Sequence, residues 1–519
     1  MAGISGRPEI PDVAPRGSER IRGALMNRSI SRWASARSLP LPSLPVAAAC
    51  VACLLLLLAP VCLAALDPPA SPAAEDKILD LPLGDPARRD RQAPVVLDGV
   101  TDTARGDVIT ARELAARLDG VELLFVGESH TDYEFHQVQL RVIEELQRRG
   151  RKVLIGLEMY PAGEQAMLDR WSTDPAFAEA DFLAQSRWYK NWGYHWEYYR
   201  PIFDFAHRHG LRMFGLNVPR KVVQTARKQG LEALTPEQRE LLPAKVDTDS
   251  AEQRRLVRAF FGGEGLHGAM SDEMFEGMFT AQCTWDAAMA HNAGKALQSH
   301  RETGNERAIM VVLIGEGHVA YGLGAERQAK LTFAGRTASV IPVRIEDPKS
   351  GKPVVQARAS FADFFWGVPA EQDPLYPVLG LSAPEREPGQ PLTVIRVEEE
   401  SVSAAAGFAV GDQLVAMDGT PIDQPETLNR LMSEKRWGDA ATFEVLRDGK
   451  PTPLTAYFRR SAEKAKTPEA PETGAPPMPP APPAPAGPPV GVPPLPPAPP
   501  AGAPTATSDV PRPPAGSVG

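Results

Sequence analysis

Short runs of aliphatic and β-branched residues recur along the middle of the chain, and stretches with helical periodicity separate them. A run that is apolar throughout predicts a strand buried on both faces of a sheet. Alternation of such strands with helices is typical of an α/β domain with a mostly parallel sheet and helices on both faces. Five strands are predicted in this way, at residues 121–126, 152–157, 212–216, 309–314 and 340–345.

The third and fourth predicted strands are separated by a segment much longer than one crossover helix needs. Residues 224–242, 251–261 and 271–297 within it have the periodicity of helices. We therefore expect a helical insertion, forming a cap or a subdomain, in the sheet domain.

After the sheet domain, the sequence pattern indicates a β-rich segment and then a proline-rich segment. Residues 376–460 return to short strands separated by glycine-containing turns, which predicts a small β-rich domain. Of the 53 prolines, 21 lie from Thr467 onwards, a composition that favours polyproline II and forms no packed core. We place the sheet domain at 95–345, a connector at 346–375, the β-rich domain at 376–460 and a disordered tail at 461–519.

An apolar run at 46–65 follows a basic stretch that contains no acidic residue after Glu19. This order is typical of an export signal, and small residues at the end of the run offer a cleavage site. We expect a signal peptide or membrane anchor at 1–65 and a linker at 66–94, with lipidation of Cys62 as a less favoured alternative. The protein is thus expected in the cell envelope, either periplasmic or associated with the membrane.

The overall composition limits the class of protein. Hydrophobic residues make up 43% and charged residues 23%, which excludes a wholly disordered chain and a membrane protein with many spans. The formal net charge of -9 has the wrong sign for a protein whose main partner is nucleic acid. Cys283 is the only cysteine outside the apolar run, so no internal disulfide is expected in the part of the chain that follows the run.

Polar residues stand where four of the predicted strands end. In an open α/β sheet, ligands bind outside the carboxyl ends of the strands, so we expect these side chains to share one rim. The strands run, in chain order, into Gly127-Glu128-Ser129-His130, Glu158, Asn217 and Gly315-Glu316-Gly317-His318.

One interpretation of this rim is a metal site. Glu128, His130, Glu158 and His318 are the ligand types of a divalent metal such as Mn, Co or Zn. In a hydrolase, Glu128 or Glu158 would be the catalytic general base that acts on metal-bound water.

The other interpretation is a haem site. The same imidazoles, or Tyr321 and the pair Tyr198 and Tyr199, are possible axial ligands of haem iron. Met270, Met274 and Met278, spaced by four, form a stripe that more often belongs to a core but could also line a flat apolar ligand.

Taken together and in order, these residues resemble the ChaN-like haem-binding lipoproteins, which belong with the Tiki and TraB proteins. The motifs extend over about half of the chain. They are Gly127-Glu128-Ser129-His130 with His136 and Gln139, Leu157-Glu158-Met159, Trp188, Asn191-Trp192-Gly193, Tyr199-Arg200-Pro201, Leu216-Asn217-Val218-Pro219-Arg220, Trp285-Asp286-Ala287-Ala288-Met289 and Gly315-Glu316-Gly317-His318.

The resemblance implies an exported α/β protein that binds haem in iron acquisition and forms a homodimer. It also implies metal-dependent hydrolase or protease chemistry as an alternative, because some Tiki relatives look like such enzymes. The residues that we assign to haem binding on this basis are His130, His136, Tyr199, Asn217, Met274, Met278, His318 and Tyr321.

Residues 376–458 resemble a bacterial PDZ domain. Leu379-Gly380-Leu381 is similar to the loop that holds a peptide carboxylate, and Ala405-Ala406-Gly407-Phe408 with the residues after it continues the pattern. Such a domain adds a peptide strand to a sheet edge, so the expected partner is a carboxy-terminal or extended peptide of an envelope protein.

Three functions remain open from the sequence. The first is a haem-binding envelope protein that docks to a partner through its PDZ domain. The second is a metal-dependent hydrolase or peptidase that uses the same Glu and His residues. The third is a scaffold without catalysis, in which only the PDZ domain and the tail bind.

Overall fold

The computed structural model describes residues 78–261, 271–304, 307–345, 356–371, 373–384 and 390–460. The predicted signal, residues 66–77 of the predicted linker, Met270 and the proline-rich tail lie outside these residues. Within the described ranges, no helix has the length and apolar character that crossing a membrane requires.

An eight-stranded sheet organises the first domain, and its spatial order is β3-β2-β10-β8-β4-β7-β5-β6. The six strands from β10 to β6 run parallel, whereas β2 and β3 are antiparallel additions at one edge. The strands are β2 (Val100–Asp102), β3 (Asp107–Ile109), β4 (Val121–Glu128), β5 (Lys152–Pro161), β6 (Met213–Asn217), β7 (Ala308–Gly315), β8 (Arg336–Ile345) and β10 (Phe364–Pro369). A separate ribbon pairs β1 (Gln92–Pro94) with β9 (Gln356–Arg358).

Helices cover both faces of this sheet, as the apolar runs predicted. The central strand β7 is buried at every position. Alternate side chains of β7 enter two different cores, with Ile309 and Val311 on one face and Met310 and Val312 on the other. The α/β architecture predicted from the sequence is therefore confirmed.

The connecting helices vary in length and occur in every crossover between the parallel strands up to β8. They are α1 (Ala111–Arg117), α2 (Tyr133–Arg148), α3 (Gln165–Thr173), α4 (Glu179–Ser186), α5 (Trp188–Asn191), α6 (Trp196–His209), α7 (Arg220–Gln229), α8 (Pro236–Arg239), α9 (Ala251–Phe261), α10 (Asp272–Arg301) and α11 (Ala325–Ala329).

The predicted helical insertion is more closely integrated than a separate cap. Helix α10 provides Met289, Ala293 and Leu297 to the same core as Met310 and Val312 of β7. This helix is therefore one of the layers that cover the sheet. Leu256 of α9 joins the same core, whereas Val222 and Val223 of α7 pack against α10 in a smaller one.

The sheet also extends beyond the predicted boundary at Ile345. Strand β10, which lies in the segment predicted as a connector, pairs in parallel with β8, and Phe365 stands opposite Ile341. The apolar run from Phe364 to Trp366 explains this position, because three consecutive bulky side chains need two covered faces. The interpretation of 346–375 as a connector is therefore wrong for this strand.

The second domain contains a small sheet with the order β14-β13-β15-β16 and a two-stranded ribbon of β11 and β12. Its core includes Leu379, Leu431 and Phe443. The elements are β11 (Leu381–Ser382), β12 (Arg396–Val397), α12 (Val402–Ala406), β13 (Gln413–Met417), β14 (Thr420–Pro421), α13 (Pro425–Ser433), β15 (Ala440–Arg447) and β16 (Lys450–Tyr457).

Replacing Phe365 by alanine tests whether β10 is part of the first domain's core. The side chain is completely buried, so Phe365→Ala should lower the free energy of unfolding by about 3–5 kcal/mol. Urea denaturation followed by circular dichroism measures this loss. Val108→Ala, on the edge strand β3 and 49% exposed, is the control and should change stability by less than about 0.5 kcal/mol. Equal stability of Phe365→Ala and the control would contradict the extended sheet.

Candidate functional site

The carboxyl ends of β4, β7, β5 and β6 lie side by side in the sheet, which brings the four predicted polar ends to one rim. Glu128 at the end of β4 stands opposite Gly315 at the end of β7. Glu158 lies on β5, and the Asn217 side chain donates from Nδ2 to the Glu158 carbonyl oxygen at 3.1 Å. The rim therefore contains side chains from the four strand ends that the sequence pattern indicated.

Glu128 is a fully buried carboxylate with several donors around it. Its Oε1 accepts from His130 Nδ1 at 2.8 Å and from the Tyr199 hydroxyl at 2.6 Å. Its Oε2 accepts from Gln139 Nε2 at 2.7 Å and lies 3.5 Å from His136 Nδ1. Burial opposes ionisation, but the charges of His136 and His130 and the hydrogen bonds outweigh it and lower the pKa of Glu128 to about 2.

These contacts determine the orientation of His130. Because Nδ1 faces the Glu128 carboxylate and donates to it, Nε2 is the nitrogen that lacks a proton when the ring is neutral. Rings of Trp192 and Tyr194 flank the imidazole, each with its centroid 4.7 Å from that of His130. His130 is thus a nitrogen donor of defined tautomer in an aromatic surrounding.

His318 forms a second carboxylate–imidazole cluster on the same rim. Its Nδ1 donates to Asp286 Oδ1 at 2.6 Å, and its Nε2 lies 3.5 Å from Glu158 Oε1. Burial disfavours the imidazolium, yet Asp286 and Glu158 raise the pKa of His318 well above its ordinary value. Burial raises the pKa of Asp286, whereas in Glu158 the charge and hydrogen bond of His318 overcome burial and lower the pKa.

The two clusters are electrostatic neighbours. The charge of His130 contributes to the lowered pKa of Glu158, although His318 contributes more. Glu158 is also held by the sheet, because the Gly315 backbone N–H donates to its Oε2 at 2.6 Å. We infer one continuous rim with two imidazoles and two strand-end carboxylates.

Asp286 is the site residue that sequence reasoning missed. It lies on α10 and also accepts from Gln253 Nε2 of α9 at 2.6 Å. An aspartate in the otherwise apolar stretch from Cys283 to Ala290 was the available signal, because a buried carboxylate needs a partner.

Three residues assigned to haem binding have other surroundings. The Tyr321 hydroxyl donates to the Ile78 carbonyl at 2.5 Å and accepts from the Leu81 N–H at 2.9 Å, so the N-terminal segment occupies its polar group. Met278 packs in a small core with Phe279, whereas Met274 is 41% exposed. The methionine stripe therefore does not form one wall.

The residues proposed as metal ligands are engaged with one another. Among the residues that the structure describes, no group of three or more His, Cys, Asp or Glu side chains is arranged to hold a metal ion. The pairing of Glu128 with His130 and of Glu158 with His318 accounts for this arrangement. The alternative cofactor, a divalent metal, is not supported.

The proposed peptide loop of the second domain has a constrained backbone. Gly380 has a φ of 70°, and a Cβ there would lie 2.4 Å from Ser401 Cβ, so only glycine fits. The Ser403 N–H and hydroxyl donate to the carbonyls of Leu379 and Gly380. Leu379 is buried in the domain core, and Leu381 begins the short strand β11.

Two parts of the chain match known protein families. Residues 114–328 match the family model described as haem-binding uptake, Tiki superfamily, ChaN, and residues 377–456 match that of the PDZ domain. The chain therefore contains a ChaN-like region followed by a PDZ region, which confirms the resemblance found in its motifs.

Individual proteins resemble this chain either over a short stretch or at low sequence identity. ChaN of Campylobacter jejuni, solved with cofacial haem, is 16% identical with a TM-score of 0.40, covering 52% of this chain and 98% of that one. The HtrA-type protease AlgW with a decapeptide is 22% identical with a TM-score of 0.15, covering 16% of this chain and 29% of that one. A Mesorhizobium japonicum protein named as a zinc metalloprotease is 41% identical over 63 residues, which span 12% of this chain and 17% of the relative.

Replacing Tyr199 by phenylalanine tests the anchoring of Glu128. Loss of a hydrogen bond to a buried charge should lower the free energy of unfolding by about 1.5–3 kcal/mol at pH 7. The lowered pKa of Glu128 contributes stability that is complete above its ordinary pKa of 4.5 and is lost as the pH falls towards 2. The difference between the two proteins should therefore shrink over this range in urea titrations.

The matched control is Tyr457→Phe, whose ring is 58% exposed in the PDZ domain. This variant should unfold like the wild type at every pH. A Tyr199→Phe deficit that stays constant from pH 7 to pH 3 would show that the hydroxyl does not stabilise the ionised carboxylate.

Proposed function

We propose that this protein binds haem at the rim of its ChaN-like domain and binds a peptide through its PDZ domain. The observation that carries the proposal is His130, an imidazole with its tautomer set by Glu128 and its ring flanked by Trp192 and Tyr194. The match of this domain to a family described by haem-binding uptake supports the same conclusion.

The residues present fit a haem group chemically. An axial ligand requires an imidazole whose unprotonated nitrogen can face the iron, and in neutral His130 that nitrogen is Nε2, because Nδ1 donates to Glu128. The macrocycle requires aromatic or apolar contacts, which Trp192 and Tyr194 offer. Bound haem would supply an iron centre for ligand binding or transfer, while Glu128 keeps the imidazole oriented and electron-rich.

His318 differs from His130 in a way that assigns it another role. Two carboxylates hold it as an imidazolium, a form that has no lone pair for iron. In the proposed function His318 offers positive charge, which suits the propionate groups of haem. We therefore propose His130 as the axial residue and His318 as an electrostatic contact.

We further propose that the protein is exported to the cell envelope and takes part in haem or iron uptake, either as a monomer or as a homodimer. The basic stretch followed by the apolar run at 46–65 supports export and membrane association. The description of the matched family supports the uptake role.

Haem titration of the full chain tests the first half of the proposal. The wild type should give a saturable Soret shift, and His130→Ala should weaken binding at least about tenfold, since it removes the axial nitrogen. His318→Ala should weaken binding less and leave the Soret position unchanged. His209→Ala, which alters a histidine at the end of α6, is the control. Absence of a saturable shift in the wild type would favour the PDZ scaffold instead.

A carboxy-terminal peptide library tests the second half. Peptides selected by the full chain should lose at least about tenfold in affinity when their carboxylate is amidated, because the loop at Leu379–Leu381 would hold that charge. Gly380→Ala should abolish binding through its clash with Ser401. Val410→Ala, at an exposed position of the same domain, should bind normally. Selection of internal sequences without a free carboxylate would contradict this mode of binding.

A further inference from the structure

A short segment covers the rim and separates His130 from solvent. We define residues 187–195 as the cover segment, which leads from α4 through α5 to α6. Its Trp192 and Tyr194 rings lie against His130, whose exposed fraction is 3%. A ligand as large as haem therefore reaches His130 only after the cover segment moves.

The PDZ domain holds the outer side of the same segment. Asn429 Nδ2 donates to the Tyr189 carbonyl at 3.1 Å, and His195 Nε2 donates to the Ser433 carbonyl at 2.8 Å. The ring of Tyr376, which directly precedes the PDZ match and also packs against the core of the first domain, stacks on that of His195, with centroids 3.6 Å apart and planes at 5°. One segment thus contacts the rim on one side and the PDZ domain on the other.

Gly193 makes this close approach possible. Its φ is 91°, and a Cβ at this position would lie 2.7 Å from Asn429 Nδ2. The backbone of the cover segment therefore packs directly against α13. A side chain here would displace the Asn429 amide from this contact.

The docking residues occupy one side of α13 and its extension. Asn429 and Ser433 are spaced by four on α13, which places them on one face of the helix, and Arg436 lies in the loop that follows it. Arg436 completes the contact by lying over the Tyr376 ring at 4.9 Å. Leu431 faces the PDZ core instead. The docking side is thus different from the side that stabilises the PDZ fold.

We propose that the PDZ domain is an autoinhibitory clamp, which keeps the cover segment closed over His130 until the two domains separate. The proposal rests on the haem-binding function proposed above. If haem binds only the open form, its apparent affinity is reduced by the fraction of molecules that are open. By reciprocity, haem binding at the rim weakens the docking of the PDZ domain.

Variants at the contact between the two domains test the clamp and leave Glu128 and His130 unchanged. The double variant Tyr376→Ala/Asn429→Ala removes the ring stack and one hydrogen bond. Thr427→Ala is the matched control, because Thr427 lies on α13 and bonds to Asp423 within the PDZ domain. Tyr376→Phe keeps the stacked ring and should behave as the wild type.

The first measurement needs no haem. In the full chain, diethyl pyrocarbonate should modify His130 about tenfold faster in the double variant than in the wild type or the control. Hydrogen exchange of amides 188–195 should accelerate in parallel, while that of β15 and β16 stays unchanged. Equal modification rates of His130 in all four proteins would overturn the clamp.

The second measurement uses haem, and the clamp predicts an increase in the rate of haem association. Haem should associate about tenfold faster with the double variant, whereas simple damage to the fold would slow association or weaken binding. Slower association would therefore overturn the proposal. If the wild type binds no haem, the proposed function fails, but the modification rate of His130 still decides whether the clamp exists.

Discussion

The buried charge of Glu128 is the constraint on which the rim depends. An unpaired carboxylate at the end of a central strand would be very costly, so the fold surrounds it with donors from three elements. His130 follows β4, Gln139 lies on α2 and Tyr199 lies on α6. Satisfying one charge therefore brings the first crossover helix, the α6 helix and the candidate haem ligand into a single arrangement.

The other strand-end carboxylate of the rim, Glu158, is also buried and is stabilised by different partners. Glu158 accepts from the Gly315 N–H of the neighbouring strand and faces an imidazolium that Asp286 also holds. Because Asp286 comes from α10, this cluster ties the longest helix to the strand ends. The imidazoles of the two clusters consequently differ in their partners, because His130 has a carboxylate at Nδ1 whereas His318 has one at each ring nitrogen.

The second domain contributes to the site although none of its residues touches His130 in the contacts described. Its helix α13 and Tyr376 pack against the segment whose aromatic rings cover that imidazole. A link between peptide binding and haem binding would follow from this arrangement, because both depend on where the PDZ domain sits. This link between the two binding events would require both domains in one chain.

The sequence alone determined the strands of the parallel sheet, the second domain and the strand-end residues Glu128, Glu158 and His318, because apolar runs and the residues after them are local patterns. It did not reveal β10, which pairs with both β8 and β2, or the role of Asp286, whose partner His318 lies 32 residues away. It also grouped Tyr321 and Met274 with the ligands, because spacing carries no information on which neighbour a side chain meets. Only the tertiary structure decided the partners of each imidazole and the closing of the rim, since both depend on groups brought together from separate elements.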